Sequence, residues 1–169
     1  MNQALDDLLA KQAITEALAD YCRAMDRIDD ALGRSVFHPD ATADYGAMFD
    51  GTGHGFIDFV HVAHSGMVGQ HHQIGNVRIE IEGDQASSET YVTATLRLKN
   101  GEGLLEIRSL GRYLDRWEKR AGRWAIMQRH YVHGMDETRQ VQPSAHPDGG
   151  RRDREDPSYA HLKPPTDSS

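Results

Sequence analysis

The sequence predicts an α+β fold, with N-terminal helices packed on one face of a strongly curved antiparallel sheet. Three observations carry this. Apolar residues recur at helical spacing through residue 67, and at a period of two from residue 71 onward. The strand-like stretches of the second part are separated by tight glycine-containing turns, the pattern of successive hairpins. Helices come first and strands follow, instead of alternating with them, which separates this class from a parallel α/β sheet.

Taken in order, Leu5, Leu8, Leu9, Ile14, Ala17, Leu18, Tyr21, Cys22 and Met25 mark one face of a long helix over 4–27. "DDALGRSVF" reads as a second helix over 29–37, with Asp29 and Asp30 at its N-terminal end, where carboxylates cap free amides. His38-Pro39 ends it. "ATADYG" is a short strand closed by Gly46, and "GFIDFVHVAHSGM" a third helix over 55–67. Four long strands follow: "NVRIEIE", "SSETYVTATLRL", "LLEIRSLGRYLDRWEK" and "RWAIMQRHYVH". The reading gives one domain over 1–137 and a polar, proline-rich tail over 138–169, either disordered or lying across the body.

A formal charge of −7 and no basic stripe argue against nucleic acid as a partner. No apolar run approaches the about 18 residues that span a bilayer, so no membrane role is expected. The opening segment has neither the basic start nor the apolar run of a secretory signal. With Cys22 as its single cysteine, the chain reads as cytoplasmic.

Where could chemistry sit? A concave pocket between the helices and the inner sheet face is the default. Asp26 lies at the rim of the apolar face of the first helix, where a carboxylate needs a donor. The adjacent pair His71-His72 precedes the first long strand. Strict alternation from Val77, Ile79 and Ile81 turns His71 inward, whereas a bulge at Gly75 turns His72 inward, and the residues leave that choice open. His130 shares an expected face with Trp124, Ile126 and Gln128 and is a candidate pocket residue, as is His64 at the pocket mouth. Tyr91, Tyr113 and Trp117 are candidates for stacking on a substrate, against the plainer role of packing the sheet. No HxH or HExxH pattern occurs, and no metal site is expected.

"AITEALADYCRAMDRIDDALGRSVFHPDATADYG", "HHQIGNVRIEIEGD" and "GRYLDRWEKRAGRWAI" together resemble the SnoaL-like members of the nuclear transport factor 2-like superfamily, over about residues 5–135. That group includes scytalone dehydratase, hexachlorocyclohexane dehydrochlorinase and bile-acid dehydratase. The resemblance implies a cone-shaped, cystatin-like barrel that assembles as a homodimer or homotrimer. It also implies that Asp26 orients His72 as acid/base and that Tyr45 polarises a substrate oxygen. Gly111 and Tyr113 stand where scytalone dehydratase carries a serine and an asparagine, and the helix-one lysine of the dehydrochlorinase has no counterpart. The function expected is a cofactor-independent lyase. It would eliminate water, HCl or formaldehyde from an aromatic or polycyclic compound, a lignin-derived diarylpropane being one case, as part of aromatic compound catabolism. The alternatives are a steroid or polyketide isomerase or cyclase, and a non-catalytic dimeric ligand-binding module.

Overall fold

The computed structural model describes residues 3–146 and 149–162, so the rest of the predicted tail lies outside the described residues. The elements are α1 (Gln3–Arg27), α2 (Asp30–Ser35), β1 (Phe37–Asp44), β2 (Asp50–Thr52), α3 (Gly53–Ser65), β3 (Gly69–Glu82), β4 (Gln85–Asn100), β5 (Gly103–Arg120), β6 (Arg123–Val141) and α4 (Ser158–His161). The strands form one six-stranded curved sheet in the order β2-β1-β6-β5-β4-β3. β3 to β6 are an antiparallel meander, and β1 joins β6 in parallel. No helix among the described residues is long and apolar enough to cross a membrane.

How α1 ends decides where Asp26 lies. Ile28 adopts a left-handed conformation (φ 53°) and the amide of Asp29 donates back to the carbonyl of Ala24 at 3.0 Å. This is the bonding of a Schellman stop, with a branched residue where glycine is usual, at a cost of about 1 kcal/mol. The stop puts Asp26 in the last turn of α1, at the negative end of the helix dipole, where a carboxylate must find donors. Asp29 then caps α2 through the amide of Leu32.

Two irregularities in the strands set which side chains face inward. Along β3 the partner of Ile74 is Val92 and that of Val77 is Thr90, so Gly75 and Asn76 together oppose Tyr91. This bulge reverses the alternation, putting His72 and Ile74 on the same side as Val77, Ile79 and Ile81. Along β6, Ile126 pairs with Trp117 but Gln128 pairs with Arg116, which makes Met127 the extra residue. Trp124 and Ile126 therefore point inward, Gln128 and His130 outward, and Arg129 inward again.

The core is one cluster. Ile14, Leu18, Tyr21 and Met25 of α1 meet Phe56, Ile57 and Val60 of α3 and Tyr113, Trp117 and Ile126 of the sheet. Gly111 is required here, because a Cβ at that position would lie 2.5 Å from the Tyr131 ring. Pro39 sits inside β1 and does not end an element before it. The β1–β6 ladder skips from Phe37 to Thr42, so no hydrogen bond to β6 is asked of the proline. The short strand β2 and helix α4 have too few residues to leave a periodic signal, and the sequence did not disclose them.

Past β6 the chain packs back on the helices. Asp156 accepts from the amides of Arg151 and Ser158 and pairs with Arg27 at 3.2 Å. Tyr159 donates to Asp29 at 2.6 Å, and Arg23 stacks over the Tyr159 ring. These contacts hold Asp156 well below the usual carboxylate range, through Ser158 first and the Arg151 amide next.

Candidate active site

Asp26 and His72 meet where the end of α1 crosses the start of β3. The Asp26 Oδ1 lies 2.8 Å from the His72 Nδ1, and both side chains are over nine-tenths buried. The backbone amide of His72 also donates to the carboxylate, at 2.9 Å to Oδ1 and 3.2 Å to Oδ2. The amide must donate, and an ionised carboxylate only accepts, so Nδ1 carries the ring proton and Nε2 is left to accept one. On the opposite side of the strand His71 is largely exposed, its Nδ1 3.5 Å from Asp26 Oδ2.

His64, on the last turn of α3, is buried with its ring centre 5.4 Å from that of His72. Burial pushes its pKa down to about 4, helped by His72 and opposed by the Met25 carbonyl. His64 is therefore neutral at neutral pH. Its Nδ1 is enclosed without a hydrogen-bond partner.

Tyr45 lies just past β1, with its ring stacked on Phe56 at 3.8 Å and facing Tyr131 at 5.4 Å. Its hydroxyl is 2.8 Å from that of Tyr21. Burial, first of all, pushes both phenols well above their ordinary range, so both stay protonated and can donate. Behind them the guanidinium of Arg129, fully buried, is held by Asp115 through two hydrogen bonds of 2.7 Å. It lies 4.2 Å from the ring centre of Tyr21 and 4.0 Å from that of Tyr113. Burial opposes the charge on Arg129, but Asp115 outweighs it. From the residues alone Arg129 reads as a salt-bridge partner or an anion-binding group, and it does form a salt bridge; its burial follows from the Met127 bulge, which turns it inward.

Other predicted site residues fall elsewhere. His130 is half-exposed on the outer face, bonded through Nδ1 to Asp44 at 2.8 Å, because of the Met127 bulge. Tyr91 is 49% exposed, also on the outer face, opposite the β3 bulge. Trp117 is enclosed in the core and donates its indole N–H to Ser88, a packing role. Tyr113 does lie on the inner wall, edge-on to Tyr21 and Tyr45. Five surface clefts of about 360–560 Å³ are lined by other residues than Asp26, His72 and Tyr45. Among the described residues no group of three or more His, Cys, Asp or Glu is arranged to hold a metal ion.

The sequence matches the SnoaL-like domain over residues 6–130, most of the chain. The protein belongs to the SnoaL-like family. No curated protein matches the sequence. Among solved structures, this SnoaL-like chain superposes on hexachlorocyclohexane dehydrochlorinase LinA type 2, with a TM-score of 0.74, 19% identity, and coverage of 83% of this chain and 97% of that one. A scytalone dehydratase-like protein of Novosphingobium aromaticivorans gives a TM-score of 0.69 at 20% identity, covering 84% and 97%. A nuclear transport factor 2-like superfamily protein of Salmonella enterica serovar Typhimurium gives 0.64 at 22%, covering 76% and 94%. The fold is thus that of the nuclear transport factor 2-like cone, its sheet curved but not closed. These neighbours include a dehydrochlorinase and a dehydratase-like protein.

Proposed function

We propose that this SnoaL-like protein is a cofactor-independent lyase that eliminates a small molecule from an aromatic or polycyclic substrate. The observation that carries the reading is the bond between Asp26 and His72 Nδ1 inside the fold. It presents an imidazole whose Nε2 is left to accept a proton, and whose imidazolium form a carboxylate stabilises. His72 takes a proton from a C–H or O–H of the substrate. The electron pair left behind forms a new double bond as the leaving group departs. In water loss, the imidazolium returns its proton to the departing hydroxide. In formaldehyde loss from a phenolic diarylpropane diol, the benzylic hydroxyl first leaves as water with the phenol proton, giving a quinone methide. His72 then takes the proton of the hydroxymethyl group, and the C–C bond breaks to release formaldehyde. The electron pair of that bond rearomatises the quinone methide to a phenolate, which takes the proton back from the imidazolium.

Tyr45 serves as donor to the substrate oxygen on which charge develops. With the Tyr21 hydroxyl donating the hydrogen bond to Tyr45, the Tyr45 O–H is free to donate to the substrate. The aromatic walls of Tyr113 and Tyr131, whose ring centres lie 5.9 Å apart, suit a flat ring. The isomerase reading would require a free carboxylate at the centre of the sheet. Asp115 is there, but both its oxygens are taken by Arg129.

A screen of phenolic diols, diarylpropanes and hydroxynaphthalenones, with products followed by mass, tests this. The wild type is expected to release about 18 mass units for water, or about 48 where water and formaldehyde both leave, and His72→Ala is expected to be inactive. Turnover unchanged in His72→Ala would overturn the assignment.

A further inference from the structure

We infer that Arg152, in the segment after β6, is a positioning residue for the Asp26–His72 pair, acting through the side chain of Gln70. This deepens the lyase reading and rests on that pair being its acid/base machinery.

The geometry is a relay of three hydrogen bonds. Arg152 Nη1 donates to the carbonyl of His64 at 2.9 Å and to Gln70 Oε1 at 3.1 Å. Gln70 Nε2 in turn donates to the carbonyl of Met25 at 3.1 Å. The cation fixes which way the amide points: with Oε1 held by Arg152, the NH₂ must face Met25. Met25 adjoins Asp26. Gln70 precedes His72 by two residues and shares its side of β3. The His64 carbonyl belongs to the last turn of α3, where a cation also meets the helix dipole favourably. One guanidinium thus ties the end of α1, the end of α3 and the start of β3, the three segments that carry Asp26, His64 and His72.

The arginine is delivered to this point by contacts that do not involve Gln70. Arg154 lies 3.1 Å from Asp29, beside the Tyr159–Asp29 bond, and Arg23 donates to Ser158 at 2.9 Å. The neighbours of Arg152 therefore anchor the segment, and its own side chain is spent inward, on the site.

The test reads the His72 Nδ1 proton by NMR in full-length protein with ¹⁵N-labelled histidine. Its exchange with water reports how firmly Asp26 holds the ring, and thermal unfolding checks that each variant is folded. Arg152→Ala is expected to speed that exchange about tenfold or more, and Gln70→Ala to do the same. The double variant is expected to add nothing further, because both act through one relay. Arg152→Lys, which keeps a cationic donor, is expected to restore slow exchange in large part. Tyr159→Phe removes an anchor without touching the relay and is expected to leave exchange within about twofold. Unchanged exchange in folded Arg152→Ala, or additive effects in the double variant, would overturn the inference. No substrate is needed, so the outcome stands apart from whether the protein proves to be a lyase.

Discussion

The same oxygen of Asp26, Oδ1, receives both the backbone amide and the imidazole Nδ1 of His72. One carboxylate therefore holds the histidine through both its backbone and its ring. The ring cannot rotate away without leaving a negative charge at the wrong end of α1, buried and short of donors. The arrangement selects a tautomer and an orientation together, as a general base requires.

Replacing Asp26 by Asn keeps the shape but removes the charge and lets the side chain present an NH₂ where His72 needs an acceptor. Turnover of any substrate found for the wild type is expected to fall by about 10²–10⁴ in kcat. Comparing kcat and KM of the two proteins checks this, and a change confined to KM would contradict it.

His64 makes stability depend on pH in a definite window. The unfolded chain binds its proton near the ordinary value of 6.5, and the folded chain only near 4. Between these values the unfolded state holds more protons, so stability is full above the window, declines as pH falls through it and declines no further below. The shift corresponds to at most about 3 kcal/mol. Urea midpoints of the wild type and His64→Leu at pH 7 and about pH 4.5 check this. The variant is expected to lose less stability on acidification, and an equal loss in both would refute the role of His64.

Asp115 and Arg129 form a fully buried ion pair under the tyrosine cluster. Asp115→Asn leaves a guanidinium between two rings with no counter-charge and is expected to cost about 3–5 kcal/mol. The double replacement Asp115→Leu with Arg129→Met removes both charges and is expected to cost much less than the single change. Chemical denaturation of the three proteins measures both numbers, and a double variant no more stable than the single would show that the pair contributes more than mutual neutralisation.

How far was this legible beforehand? The long helix and the four hairpin strands were, since each is a sustained period that packing alone can enforce. The matched spacing of Asp26, Tyr45 and His72 was visible only beside relatives. Which face each histidine takes was not fixed by periodicity. A bulge is one unpaired residue, and it reverses every assignment on one side of it. At Gly75 the glycine gave notice of it, and the alternative with His72 inside could be stated. At Met127 nothing in the residue type did, so His130 was placed on the inner wall, and the salt bridge expected of Arg129 had no reason to be placed in the core. Tyr91 illustrates another limit: an aromatic on a strand suits either face. The return of residues 149–162 across the helices depends on scattered ion pairs, which have no period to read.

The bulge in β3 has a consequence for how this protein could change over generations. Deleting Asn76 would leave Gly75 alone opposite Tyr91, so the ladder would pair without interruption while every position from Gly69 to Ile74 kept its present face. His72 would still turn inward, and Gln70 would keep its side of the strand. Loss of a residue from a regular strand turns one side of it over, whereas here the strand carries one codon that it can lose with both of its faces preserved.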